Sequence, residues 1–433
     1  MPKTIWNLRT GSLSRKGKPR AARANLLLLG ASALAVACGY GEIAQAAPKL
    51  KVIYSFVNLR GTTPFGNLIA DGAGNLYGTT YLGGATSHGT VFELSPPAMG
   101  ERRWTQTVLR SFNGTNGDQP YGGVIADGAG NLYGTTQYGG ATNQGAVYEL
   151  SPPAGGKRSW TERVLFSFNG TNGLNPGWGL LADGAGNLYG MTALGGSDGN
   201  GVVFELSPPA AGKKLWTESV LFSFDSTNGE YPFFSGLIAD GAGNLYGTTY
   251  YGGVNRDGNV FELSPPAAGQ TAWTPTLLFS FAGTNGSNPA GGVIADGAGN
   301  LYGTTSGGGS NSHGVVYELS PPAQGQTAWT ETVLHTFTGT NGARPLAALI
   351  ADGAGNLYGT TIGGGANSDG VVYKLSPPAG GEHRWTAKVL QSFTGINGSG
   401  PGGGVLADGA GNLYGTTNGG GAHSDGVVFK LTP

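Results

Sequence analysis

The sequence predicts an all-β fold, a seven-bladed β-propeller of four-stranded blades, and three observations lead there. The nonapeptide Ala-Asp-Gly-Ala-Gly-Asn-Leu-Tyr-Gly occurs seven times, its Asp at 71, 127, 183, 240, 296, 352 and 408. Spacings of 56 or 57 residues mean stacked or radial units. Of 433 residues, 83 are Gly and 24 Pro, a load that disfavours long helices, whose interiors they weaken by about 1 and 3 kcal/mol relative to Ala. The glycines show no every-third-residue period, which excludes collagen. With 39% hydrophobic and 11% charged residues there is apolar surface to bury, against disorder.

The chain opens with seven basic residues before position 24, Lys3, Arg9, Arg15, Lys16, Lys18, Arg20 and Arg23. An apolar run from Leu26 to Ala37 follows, shorter than the roughly 20 residues a membrane-spanning helix requires. Ala44-Gln45-Ala46 then offers a small-x-small exit. Residues 1–46 therefore read as a secretory signal peptide. A second reading places a lipoprotein signal ending at Cys38, the only cysteine, after Leu34-Ala35-Val36-Ala37. A lone cysteine also excludes an intrachain disulfide framework. Removing residues 1–46 leaves 17 basic against 24 acidic residues, a net charge of −7. A mildly acidic domain without a basic stripe argues against nucleic acid and anionic membrane surfaces as partners. Contact with a membrane is expected only through an N-terminal lipid, and the chain is expected to be a monomer.

Within residues 47–433 each unit reads as four short strands. In the second they run from Gly123 to Asp127, Asn131 to Thr136, Ala146 to Ser151 and Trp160 to Phe168, separated by Gly-rich turns and a Pro-Pro turn. Four strands in about 56 residues make a propeller blade. The first strand is near-continuously apolar, as at Leu68-Ile69-Ala70, which suits a sheet covered on both faces. The ends predict closure. An orphan strand, Lys51 to Phe56, precedes the repeats, and the last unit stops at Gly426 to Leu431 without a fourth strand. The first should complete the last blade and remove both exposed edges.

The segments SFNGTNG (111–117), ADGAGNLYGTT (126–136) and VYELSPPA (147–154) resemble the GloVer-type (Gloeo/Verruco) tandem repeats of exported bacterial proteins, over essentially residues 50–433. The core string is also similar, more weakly, to sensor-type propeller repeats. The resemblance implies a repeat fold and export, to the periplasm, the medium or a lipid-anchored place on the outer membrane. It carries no activity and no catalytic residue.

Three recurrent features need no ligand. The Asp of each DGAGN turn explains itself by hydrogen bonds to the backbone two residues on, beside Gly that accepts positive φ; calcium wants six to eight oxygens. His88, His313, His335, His383 and His423 lack metal-ligand spacing. Trp104, Trp160, Trp216, Trp273, Trp329 and Trp385 recur identically and read as packing between blades. No cofactor, metal or catalytic residue is assigned.

The repeats differ in two loops expected on one face. The first loop holds Arg60, Phe65, Asp118, Tyr121, Trp178, Glu230, Phe233 and Phe234 in units 1 to 4, against Ala290, Leu346 and Gly402 later. The second holds Tyr81, Tyr138, Tyr250, Tyr251 and Arg256, against Ser306, Ile362 and Asn418. Exposed aromatics beside polar groups mark binding surfaces. These residues are the candidate ligand site, a non-catalytic surface for an extracellular carbohydrate. An envelope protein-interaction scaffold is the alternative, and a lactonase- or lyase-like propeller enzyme a third, which would need carboxylates or histidines converging near the axis.

Overall fold

The structure, a computed structural model, describes residues 5–6, 47–155, 159–379 and 384–433. The signal-peptide and Cys38 expectations fall almost wholly outside the described residues, as does His383; the two-residue strand Ile5–Trp6 pairs antiparallel with Ala70 and Asp71.

Seven antiparallel sheets follow the repeats, each unit forming one blade. Blade 2 is typical: Ile125–Ala126 inside, then Leu132–Thr136 and Ala146–Ser151, with Thr161–Ser167 outside. The inner strand is shorter than the sequence reading gave it, two or three residues in six blades and nine in blade 5. The reason lies at the axis, where neighbouring backbones crowd and ladder pairing stops. A Cβ on Gly122 would stand 1.8 Å from the Trp178 carbonyl oxygen, and one on Gly123 2.4 Å from that of Asn67.

Blade 7 closes as expected. Lys49–Ser55 pairs with Val427–Thr432, Lys49 opposite Thr432 and Ser55 opposite Val427. Its register slips between Val52 and Tyr54, and a bulge recurs at the equivalent place between third and outer strands of every other blade, as between Val164 and Phe166. A bulge adds twist, which each outer strand needs to follow its neighbour around the ring.

The core is not central. It is divided among seven seams, each built from two adjacent blades. At every seam a fully buried Phe after an outer strand meets an aromatic ring of the next blade's third strand. The pairs are Phe56–Phe92, Phe112–Tyr148, Phe168–Phe204, Phe224–Phe261, Phe281–Tyr317, Phe337–Tyr373 and Phe393–Phe429, with centroids 5.0–5.2 Å apart. Phe56 belongs to blade 7 and Phe92 to blade 1, so the closing seam matches the other six. The six tryptophans sit in the same seams, Trp216 against Tyr133 and Trp385 against Tyr302.

The DGAGN turns are self-contained. In blade 2 one carboxylate oxygen of Asp127 accepts the backbone N–H groups of Ala129 and Asn131, and the other accepts the Asn131 amide and the Tyr133 hydroxyl. Burial pulls upward on such carboxyls at Asp183, Asp240, Asp296, Asp352 and Asp408, yet the donated bonds outweigh it and hold them below the usual range.

Candidate functional site

Each blade carries a short antiparallel ribbon where the loop entering it meets the end of its second strand. The cross-strand pairs are Thr62 with Leu82, Asp118 with Tyr138, Leu174 with Leu194 and Glu230 with Tyr251 in blades 1 to 4. In blades 5 to 7 they are Ser287 with Gly307, Ala343 with Gly363 and Ser399 with Gly419. Paired residues share a face, so four ribbons carry a large side chain there and three carry almost nothing.

The next residue holds a left-handed backbone in every blade: Thr63, Gln119, Asn175, Tyr231, Asn288, Arg344 and Gly400, with φ between 56° and 64°. For a non-glycine this costs roughly 1–2 kcal/mol. The geometry turns its N–H onto a carbonyl of the preceding blade at 2.7–3.0 Å, Gln119 onto His88 and Thr63 onto Asp425. A proline follows each, and in six blades its ring lies against a glycine of the preceding blade. The same holds at the closing seam, with Pro64 against Gly426. This stitch carries the chain to the axis and aims what comes next.

An aromatic residue comes next in the first four blades, directly in blades 1, 2 and 4 and after Gly177 in blade 3, and the rings form one continuous network. Tyr121 is the hub: Phe65 stacks on it at 4.7 Å, with Phe233 at 4.9 Å, Trp178 at 5.4 Å and Tyr81 at 5.6 Å. Phe234 continues to Tyr250 at 5.2 Å, and Tyr250 meets Tyr251 edge-on at 4.7 Å. Phe65 lies against Gly402 of the neighbouring blade 7, whose missing Cβ leaves it room. Eight of the thirteen sequence-predicted residues thus join through ring contacts.

The structure sorts these residues by role. Trp178 and Phe233 are 4% and 3% exposed, so their ring faces are covered by neighbours; they support the cluster and are not stacking platforms for a ligand. Tyr251 is 45% exposed, while Phe65, Tyr81, Tyr121, Tyr138, Phe234 and Tyr250 are half-buried. Asp118 lies 2.9 Å from the His88 imidazole, and Glu230 flanks Tyr251 on its ribbon. Two arginines do not join the rings. Arg60 donates to the Gln106 carbonyl in the seam between blades 7 and 1, and Arg256 is exposed in the loop that follows the blade 4 ribbon.

Sequence reasoning missed Tyr231, Leu82 and Leu194. Tyr231 bridges Phe233 at 5.5 Å and Tyr251 at 6.2 Å. The signal was present: aligned on the Thr-Thr end of the second strand, the next position but one reads Leu82, Tyr138, Leu194, Tyr251, Gly307, Gly363 and Gly419.

Burial, reinforced by the neighbouring phenols, raises the hydroxyls of Tyr81, Tyr121, Tyr231 and Tyr251 above the ordinary tyrosine range. They stay neutral, able to donate and accept hydrogen bonds, and the Tyr81 hydroxyl already donates to Gln119 at 2.6 Å. Chemically the cluster offers flat apolar faces edged with uncharged hydroxyls. Among the described residues no group of three His, Cys, Asp or Glu is placed to hold a metal ion.

The Gloeobacter/Verrucomicrobia repeat model matches residues 6–162, 103–274 and 268–433. The chain belongs to this repeat family. Together the three matches span the whole propeller. No curated protein matches the chain. Among solved structures it is similar to the extracellular domain of BT4673 from B. thetaiotaomicron, described as a hybrid two component system, at 17% identity and a TM-score of 0.54, covering 89% of this chain and 42% of that one. A second structure of that extracellular domain, described as a one component system, gives 16% identity and a TM-score of 0.51, covering 85% and 39%. The chain therefore spans about two fifths of the length of those proteins, and at such identity the likeness concerns the fold alone.

Proposed function

We propose that this protein is an exported, non-catalytic binding propeller whose aromatic face takes an extracellular carbohydrate. The observation that carries the reading is the ring network of blades 1 to 4, with half-exposed Tyr138, Tyr250 and Tyr251 at its edge. Sugar rings have apolar faces and hydroxyl edges, and neutral tyrosines match both at once. The charged opening of the sequence supports export, and so does the BT4673 resemblance, since that domain is extracellular.

The test is binding of the purified protein to a glycan array, with Tyr251→Ala and Tyr138→Ala compared with wild type. Saturable signal that falls at least tenfold in the variants is expected. No glycan signal, together with capture of a defined envelope protein that depends on the same two tyrosines, would establish the scaffold reading instead.

A further inference from the structure

The second half of the face adds what the aromatic half does not say: how a glycan lies on it. This rests on the carbohydrate reading. The wall of large side chains, Leu82, Tyr138, Leu194 and Tyr251, ends abruptly at blade 5. There an open depression of about 540 Å³ begins, lined by Gly283, Thr284, Ser287, Gly307 and Ser312 among others. The boundary is built. The Ser306 hydroxyl donates to the Asn288 carbonyl at 3.0 Å and lies 3.3 Å from the Tyr250 hydroxyl, and the Asn288 amide donates to the Tyr250 carbonyl.

At two floor positions, in blades 6 and 7, nothing in the backbone demands glycine. Gly363 and Gly419 do not hold positive φ. A Cβ at either would meet nothing nearer than 3.8 Å. The same ribbon position accepts Leu and Tyr in blades 1 to 4. The glycines at 363 and 419 thus leave open space that the fold itself does not need.

We propose that the ligand is an internal run of a neutral polysaccharide, lying along the tyrosine wall and across the open floor of blades 5 to 7. The depression is open at the surface, which suits a chain passing through over a pocket that swallows a chain end. Neutrality follows from the balance of charge on the face: Asp118 and Glu230 on the wall are set against exposed Arg256 and Arg344, so a uniformly charged chain would meet repulsion somewhere along its path.

The experiment is affinity gel electrophoresis of the purified protein in three neutral polymers, mixed-linkage β-glucan, xylan and galactomannan, and in acidic polygalacturonate, with competition by the matching monosaccharide and hexasaccharide. Gly363→Tyr and Gly419→Leu are run beside Tyr251→Ala, and thermal melts confirm that each variant folds. Expected are retardation of wild type by one of the three neutral polymers, competition by the hexasaccharide but not the monosaccharide, and at least tenfold weaker binding in both floor variants. Full binding by both floor variants, with loss in Tyr251→Ala, would overturn the floor while leaving the wall. Equal competition by the monosaccharide would overturn the internal run. Glycan binding seen only with acidic polymers would overturn neutrality. No glycan binding of any kind would remove the carbohydrate reading itself.

Discussion

Blades 1 to 4 and blades 5 to 7 share one scaffold and present opposite surfaces. Both arcs have the same Phe clamps at 5.0–5.2 Å, the same Asp turns and the same left-handed stitch onto the preceding blade. Yet one arc puts Phe65, Tyr121, Trp178 and Phe233 at the axis where the other puts Ala290, Leu346 and Gly402. The lesson is that seam and face are separable. The seams need complementary volume at every step of a closed ring, so their residues repeat. The face is free to vary, because loops on a rigid frame alter little of the packing beneath them.

The comparison breaks most readily at the axis. Trp178→Ala removes a buried ring from the aromatic arc and should cost about 3–5 kcal/mol, while Leu346→Ala in the small-residue arc should cost nearer 2 kcal/mol. Urea unfolding of the two variants measures the difference, and equal losses would mean that the aromatic arc is not a second core.

Beneath the face one seam differs from two others, one in each arc. Arg110 of blade 1 lies 2.5 Å from Glu162 of blade 2. The equivalent Glu218 and Glu331 follow Phe166 and Phe279 in place of that arginine. Each keeps a buried oxygen without a hydrogen-bond partner among the described residues. Burial pushes both up to about 7, against a weaker downward pull from Asn172 and Asn285. A carboxyl raised on folding stabilises the fold fully below its unfolded pKa, and that contribution is lost as pH rises through about 7. Stability should therefore fall between pH 5 and pH 8, by roughly 1 kcal/mol per group once solvent screening of these half-exposed side chains is allowed for. Melting at the two pH values, with Glu218→Gln/Glu331→Gln as the variant, should show the slope flattened; an unchanged slope would assign it elsewhere.

Smaller effects sharpen the picture. Three seams use Tyr148, Tyr317 and Tyr373 where the others use Phe, and these hydroxyls are buried without a partner among the described residues. Tyr→Phe at each should raise stability by up to about 1 kcal/mol, read from the unfolding midpoint. Smallest of all, Gly363→Tyr should leave stability within roughly 0.5 kcal/mol of wild type, since the Cβ enters open space. A large loss there would mean that the floor glycines serve the fold.

Much of this was legible in the linear chain. Seven copies of one string, an orphan strand before them and a last unit one strand short predict a closed ring, because strand edges left unpaired are costly and the two ends complement each other. The turn role of the repeated Asp was equally readable, since its partners lie two to six residues away. The aromatic residues could be gathered onto one face by aligning the repeats. Their exposure could not. Trp178 and Tyr251 look alike in a loop, and only the approach of Tyr121 and Phe234 decides that one is covered. Arg60 was misplaced for a related reason: its Gln106 partner is 46 positions away and across a seam.

The sequence by itself determined the unit, the number of blades and the way the ring is sealed, because these follow from local periodicity and from matching the two ends. Tertiary structure alone decided the outer-strand bulges, the short inner strands, and which rings are buried and which reach solvent. Those depend on how closely neighbouring backbones approach the axis, a distance that no single repeat contains.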